Sequence, residues 1–195
     1  MKLLSFRQSA YLLIGALLAL PAVAAVPCSS PTSKLTASRA EAPDEASMLI
    51  QRIRNESRDI RDNAAVLQSL IREAPLVDWR VHADLLEQVR DEVNSMGADF
   101  CQLQAIRSES LPWQKRVMRQ IRPEVVELAA YTEHAIDFVH QENLGNYASP
   151  DYTIDVNALY QKANRVETTT NDFVEYAKAR QEMRELRRDM QSKVG

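Results

Sequence analysis

The chain has 195 residues, is 45% hydrophobic and 26% charged, and carries two cysteines, four glycines and a formal net charge of −3. That is enough chain and apolar content for one domain with a real core, and it excludes a collagen-like repeat, a disulfide-dense mini-protein and a charge-driven disordered chain. The mild acidity excludes a polybasic nucleic-acid binder, and so few glycines disfavour a Gly-rich phosphate-binding enzyme.

The N-terminus reads as an export signal. Lys2 and Arg7 give a positive start, Tyr11 to Leu20 is a short apolar run, and Ala22-Val23-Ala24 supplies the small residues a signal peptidase reads. We therefore expect a cleaved signal peptide over residues 1–24, with cleavage after Ala24 or Ala25, and a periplasmic or secreted product. The apolar run is short for a retained membrane anchor. Cys28 follows Pro27 rather than a small residue, which argues against a lipoprotein. Loss of Lys2 and Arg7 takes the net charge from −3 to −5, so neither nucleic acid nor membrane contact is expected of the mature chain.

Residues 25–42 are small, polar and proline-containing, and read as a flexible leader. An oxidising compartment would permit a Cys28–Cys101 bridge, and a buried free Cys101 with Cys28 exposed is equally compatible with the sequence. No CxxC or CxxCH is present, which disfavours thioredoxin chemistry and covalent haem.

From Pro43 onward the chain is punctuated by Pro75, Pro112 and Pro150, and between these marks apolar residues recur with a 4-3 spacing. The first seam is Ala46, Ile50, Ile53, Ser57, Ile60, Ala64, Leu67 and Ile71. The second is Trp79, His82, Leu86, Val89, Val93, Met96, Phe100 and Leu103. The third is Val117, Ile121, Val125, Leu128, Thr132, Ala135 and Val139, and the fourth is Tyr152, Val156, Leu159, Ala163, Val166, Thr170, Phe173 and Ala177. Only Ser57, His82, Thr132 and Thr170 are not plainly apolar, and no seam shows the alternation of a strand.

The spacing predicts helices over about 44–73, 76–108, 111–143 and 150–192, together forming a domain over 43–195. Ser110 before Leu111-Pro112 and Ser149 before Pro150 read as N-caps followed by a first-turn proline. Gly145 reads as a C-terminal stop, and Pro123 should kink or divide the third helix. Short connections make neighbours antiparallel, so the expected fold is all-α: an up-down-up-down four-helix bundle. All four seams lie in one chain, which favours a monomer over a dimer. Beyond Ala177 the sequence is strongly charged, but Met183, Leu186 and Met190 keep a narrow apolar stripe that could project as helix or bind a partner.

Candidate chemistry is sparse. Folding the second and third helices about Ser110 puts His82 level with residues near 138, close in height to Asp137 and His140, with His134 about one turn away and Asp155 brought to the same end. His82 and His140, supported by Asp137, are thus the candidate ligands for a metal or haem iron. Against this, Asp137-x-x-His140 occurs once, whereas a di-iron bundle needs paired Glu-x-x-His motifs. Glu124 and Glu127, and the Arg/Glu runs at 52–61 and 180–188, read as solvated helix faces with i,i+4 pairing. The aromatic residues Trp79, Phe100, Trp113, Phe138, Tyr152 and Phe173 read as core. No GxSxG, HExxH or other nucleophile constellation is present, and no cofactor is expected.

The stretches Asp78-Trp79-Arg80-Val81-His82-Ala83, Val93-Asn94-Ser95-Met96-Gly97, Leu103-Gln104-Ala105-Ile106-Arg107, Pro112-Trp113-Gln114 and Asp172-Phe173-Val174-Glu175-Tyr176 resemble an uncharacterised family of exported bacterial all-helical proteins. The resemblance spans roughly residues 45–185 and implies export and an all-helical fold, with no assigned activity. A likeness to the cytochrome b562 and c′ types is architectural only, without CxxCH or an evident Met–His axial pair. The expectation is a non-enzymatic, exported bundle acting by binding or structural interaction with a protein or envelope partner. The alternatives are a metal- or haem-binding bundle using His82 and His140, and a lipid-responsive amphipathic bundle.

Overall fold

The computed structural model describes residue 28 and residues 42–73, 78–141 and 149–192. The predicted signal peptide, most of the leader, the connection around Pro75 and the Gly145 stop lie outside these residues. Four helices account for nearly everything else: α1 (Ala42–Arg72), α2 (Trp79–Ala105), α3 (Pro112–Gln141) and α4 (Pro150–Ser192). Each packs on two others around the ring α1–α2–α3–α4–α1, and only α1 and α3 touch appreciably across a diagonal. This is the antiparallel four-helix bundle expected from the spacing.

The four seams form its core. Ala46 through Leu67, His82 through Leu103, Val117 through Val139 and Tyr152 through Thr170 are buried at every seam position, with Ile71, Trp79, Phe173 and Ala177 half-buried at the ends. The polar seam residues are accommodated locally. Ser57, Thr132 and Thr170 donate to the carbonyls of Ile53, Leu128 and Val166, each one turn back along its own helix. A hydroxyl that bonds its own helix enters the core with its hydrogen bond satisfied.

The helix ends differ from expectation in detail. Asp78 caps α2, accepting from the Arg80 backbone N–H at 3.0 Å. That helix ends at Ala105, short of the expected residue 108, and turns from Ile106 onward lead into α3. Ser110 does not cap α3: its hydroxyl donates to the Ile106 carbonyl at 3.0 Å. Gln114 takes that role, its Oε1 accepting from the Leu111 N–H at 2.6 Å, an arrangement akin to half a capping box. Ser149 does cap α4, accepting from the Tyr152 N–H at 3.2 Å. Pro123 lies on an exposed face and does not divide α3, which runs through it.

The charged run at 52–61 pairs differently from the i,i+4 expectation, because its partners are on other helices. Arg52 grips Asp99 of α2 with two bonds of 2.6 and 2.7 Å. Arg58 and Arg61 of α1 both meet Glu167 of α4. Lys162 of α4 sits between Glu124 and Glu127 of α3. These contacts rim the core and help to fix which helix faces which.

The two cysteines are joined. Cys28 and Cys101 form a disulfide with a Cα–Cα distance of 5.4 Å, pinning the leader to α2 across a sequence separation of 73.

Candidate functional site

The two ends of the bundle present different chemistry. At one end His82 is fully buried, its Nδ1 lying 3.0 Å from the Tyr152 hydroxyl. Tyr152 in turn stacks on Phe138 at 5.3 Å between ring centroids. The second helix therefore does bring His82 to the level of residue 138, as the sequence reading placed it. Burial pushes the imidazole pKa below its usual value, since charging it would require desolvating a cation.

The other candidate ligands do not join it. Asp137 and His140 are exposed on α3, on the outside of the bundle, whereas His82 points into the core. His134 is exposed as well, and its charge acts on Asp155 of α4, whose carboxyl is pushed up by burial and partly restored by that histidine. Among the described residues no three His, Cys, Asp or Glu side chains are grouped to hold a metal ion. Glu124 and Glu127 are engaged by Lys162 and so form an interhelical ion-pair cluster.

The opposite end is open. There the N-terminal turn of α3 and the C-terminal part of α4 enclose a groove of about 620 Å³, walled by Trp113, Phe173 and Tyr176 and edged by Arg116, Arg180 and Asp172. A second groove of about 400 Å³ lies on the other side of Trp113, reaching Asp44 and Ser47 of α1 and Arg184 of α4. Beneath them Gln114 donates to Ser47 across the bundle at 3.0 Å. Trp113, expected from the sequence to be core, is half-buried here, its ring packing on the core at this end.

Beyond this rim α4 continues alone. It has 43 residues where α1, α2 and α3 have 31, 27 and 30, so its last stretch outruns the bundle. From Lys178 to Ser192 every residue is exposed, including Met183 at 64%, Leu186 at 62% and Met190 at 63%. These side chains lie on a different face from the fourth seam. At about 100° per residue, the line of Val166 and Thr170 continues through Ala177, Gln181, Arg184 and Arg188, and the methionine-leucine stripe lies about half a turn away from it. Summed over the whole helix, the apolar faces of α4 nearly cancel, unlike those of its three neighbours.

The stripe itself was legible from sequence. Its placement opposite the bundle-facing side was missed, although counting onward from Thr170 would have found it.

Fold and geometry define an all-α four-helix bundle with one extended helix. Comparison of the chain with family models, with curated proteins and with solved structures gave no match. No helix among the described residues is long and apolar enough to cross a membrane.

Proposed function

We propose that the protein is an exported, non-enzymatic helical bundle that acts by binding in the cell envelope, with the overhang of α4 as its binding element. The observation that carries this reading is the exposed stripe of Met183, Leu186 and Met190 on a helix that has left its own core. An apolar stripe held in water on a preformed helix suits helix-to-helix or helix-in-groove recognition. Export is supported by the signal-like N-terminus and by the Cys28–Cys101 bridge, which suits an oxidising compartment. The non-enzymatic part is supported by how the core polar side chains are used: Ser57, Thr132 and Thr170 bond their own helices.

Two measurements test the reading. The N-terminus of the protein isolated from its producing cell should begin at Ala25 or Val26, and a chain that still begins at Met1 would overturn export. A photo-crosslinker placed at position 183 in the living cell should give a discrete adduct, and one at Gln161, on the exposed side of the bundle half of α4, should not. Equal labelling from both positions, or none from 183, would remove the overhang as the binding element.

A further inference from the structure

Resting on the reading of the overhang as the binding element, we propose that its occupant is a second copy of this chain, paired in parallel through a short coiled coil of the two α4 ends. Taking Tyr176 as the first a position, Ala179 and Leu186 fall at d, and Met183 and Met190 fall at a. This is a second heptad seam in the same helix, with Tyr176 also exposed, at 56%. The bundle accounts for four seams within one chain; this one has no partner helix among the described residues, so the argument for a monomer does not extend to it.

The flanking charges select both partner and orientation. The g positions are Glu175, Glu182 and Asp189, all acidic, and the e positions are Arg180 and Arg187, both basic. In a parallel pair each g position meets the e position five residues further along the other chain. Glu175 of one copy then faces Arg180 of the other, and Glu182 faces Arg187, with the same contacts repeated by symmetry. In an antiparallel pair g meets g and e meets e, setting acid against acid and base against base. A single chain thus carries both halves of a matched set, complementary to an identical helix running the same way.

The placement of the stripe makes such a pair sterically open. Because it faces away from the side that α4 turns to its own bundle, two copies would meet back to back with their bundles on the outside. About 15 residues project past Ala177, or about 22 Å of helix at ~1.5 Å per residue, which is two heptads. A helix that short is marginal alone, but here the folded half of α4 already nucleates it. The seam is short and rich in methionine, so the pairing should be concentration-dependent.

The test is sedimentation velocity on the full exported chain from about 1 µM to about 1 mM, with three variants at exposed positions outside the packed core. Wild type should shift from one to two chains as concentration rises. Leu186→Lys should stay a single chain throughout, and so should Arg180→Glu/Arg187→Glu, which sets acid against acid. Met190→Cys should form an interchain disulfide under mild oxidation, since parallel in-register helices place the two position-190 side chains together. A single chain at every concentration, or a dimer indifferent to Leu186→Lys or to the charge reversal, would overturn the proposal. Single chains that instead float with anionic phosphatidylglycerol vesicles, or that give a heterologous adduct from position 183, would also overturn it while leaving the overhang a binding element.

Discussion

The two halves of α4 are built from the same kind of residue and do opposite things. Between Tyr152 and Thr170 the seam side chains point inward and are buried at every position, while Ile154, off the seam, is exposed. Between Ala179 and Met190 they point away from that side and stand in water. Helix continuity is common to both, so the difference lies in neighbours rather than in propensity. Where three other helices supply a surface, the seam becomes core; where they end, the same spacing becomes an exposed stripe. A heptad pattern therefore reports an apolar face on a helix, without saying what covers it.

The largest expected contrast is in backbone protection. In dilute solution the amides of Val156, Leu159 and Ala163 should exchange only through unfolding of the bundle, whereas those of Arg184 to Asp189 should exchange by local fraying, orders of magnitude faster. Hydrogen exchange read by mass spectrometry checks this, and equal protection in dilute protein would erase the distinction between the two halves. Side-chain truncation should show the same divide. Leu159→Ala should cost about 2–5 kcal/mol by removing a fully buried side chain. Leu186→Ala should change the stability of a single chain by no more than about 0.5 kcal/mol. Urea titrations at low protein concentration decide it, and a comparable loss in both would mean that the overhang folds back onto something.

How far this was readable from sequence depends on the residue. The four seams were legible in full because burial on a helix repeats every three or four residues, and the structure buries them almost without exception. The level of His82 with Phe138 was also legible, since antiparallel connections fix heights along the bundle. What could not be read was direction around each helix for polar residues. Asp137 and His140 shared the height of His82 and yet face outward, because height is set by chain length and facing by the seam each helix presents. Arg52, Arg58 and Arg61 likewise read as surface pairing along one helix and are in fact bonded to Asp99 and Glu167 on neighbouring helices. Asp99 and Glu167 are distant in sequence, so no local spacing could reveal them. Ser110 was misread as a cap because its carbonyl partner, Ile106, belongs to the preceding turn.

A smaller contrast separates the closed end from the open one. Tyr152→Phe keeps the ring that stacks on Phe138 and deletes the hydroxyl bonded to His82 Nδ1. The expected loss is about 1 kcal/mol, the net worth of one buried hydrogen bond. Tyr176→Phe, at the open end, should be neutral for the fold, since that ring is more than half exposed. Thermal unfolding of the two variants side by side gives the comparison, and a neutral Tyr152→Phe would show that ring stacking alone holds the closed end.

The mildest effect is a slope in pH. Glu92 of α2 is half-buried against α1, where burial raises its carboxyl pKa to about 6, only partly offset by the 3.0 Å bond that Asn63 donates to it. Asp59, Asp91 and Glu56 crowd it further with like charge. In the unfolded chain the same group titrates near 4.5, so between these values the folded state binds the extra proton. Its contribution to stability is therefore present below about pH 4.5 and is lost as pH rises through about 6. His82 works the other way, since its folded pKa is depressed: its contribution is present above 6.5 and is lost as pH falls through the folded value. Glu92→Gln keeps an acceptor for Asn63 and cannot ionise, so it should flatten the decline in stability between pH 4.5 and 6 and leave the acid-side loss from His82 in place. The same flattening is expected in a chain ending at Ala177, because Glu92 and every group acting on it lie on α1 and α2. Urea midpoints across that range, in both backgrounds, check the sign. An unchanged slope in Glu92→Gln would place the titrating group elsewhere, and a flattening seen only with the overhang present would couple the two regions that the fold keeps apart.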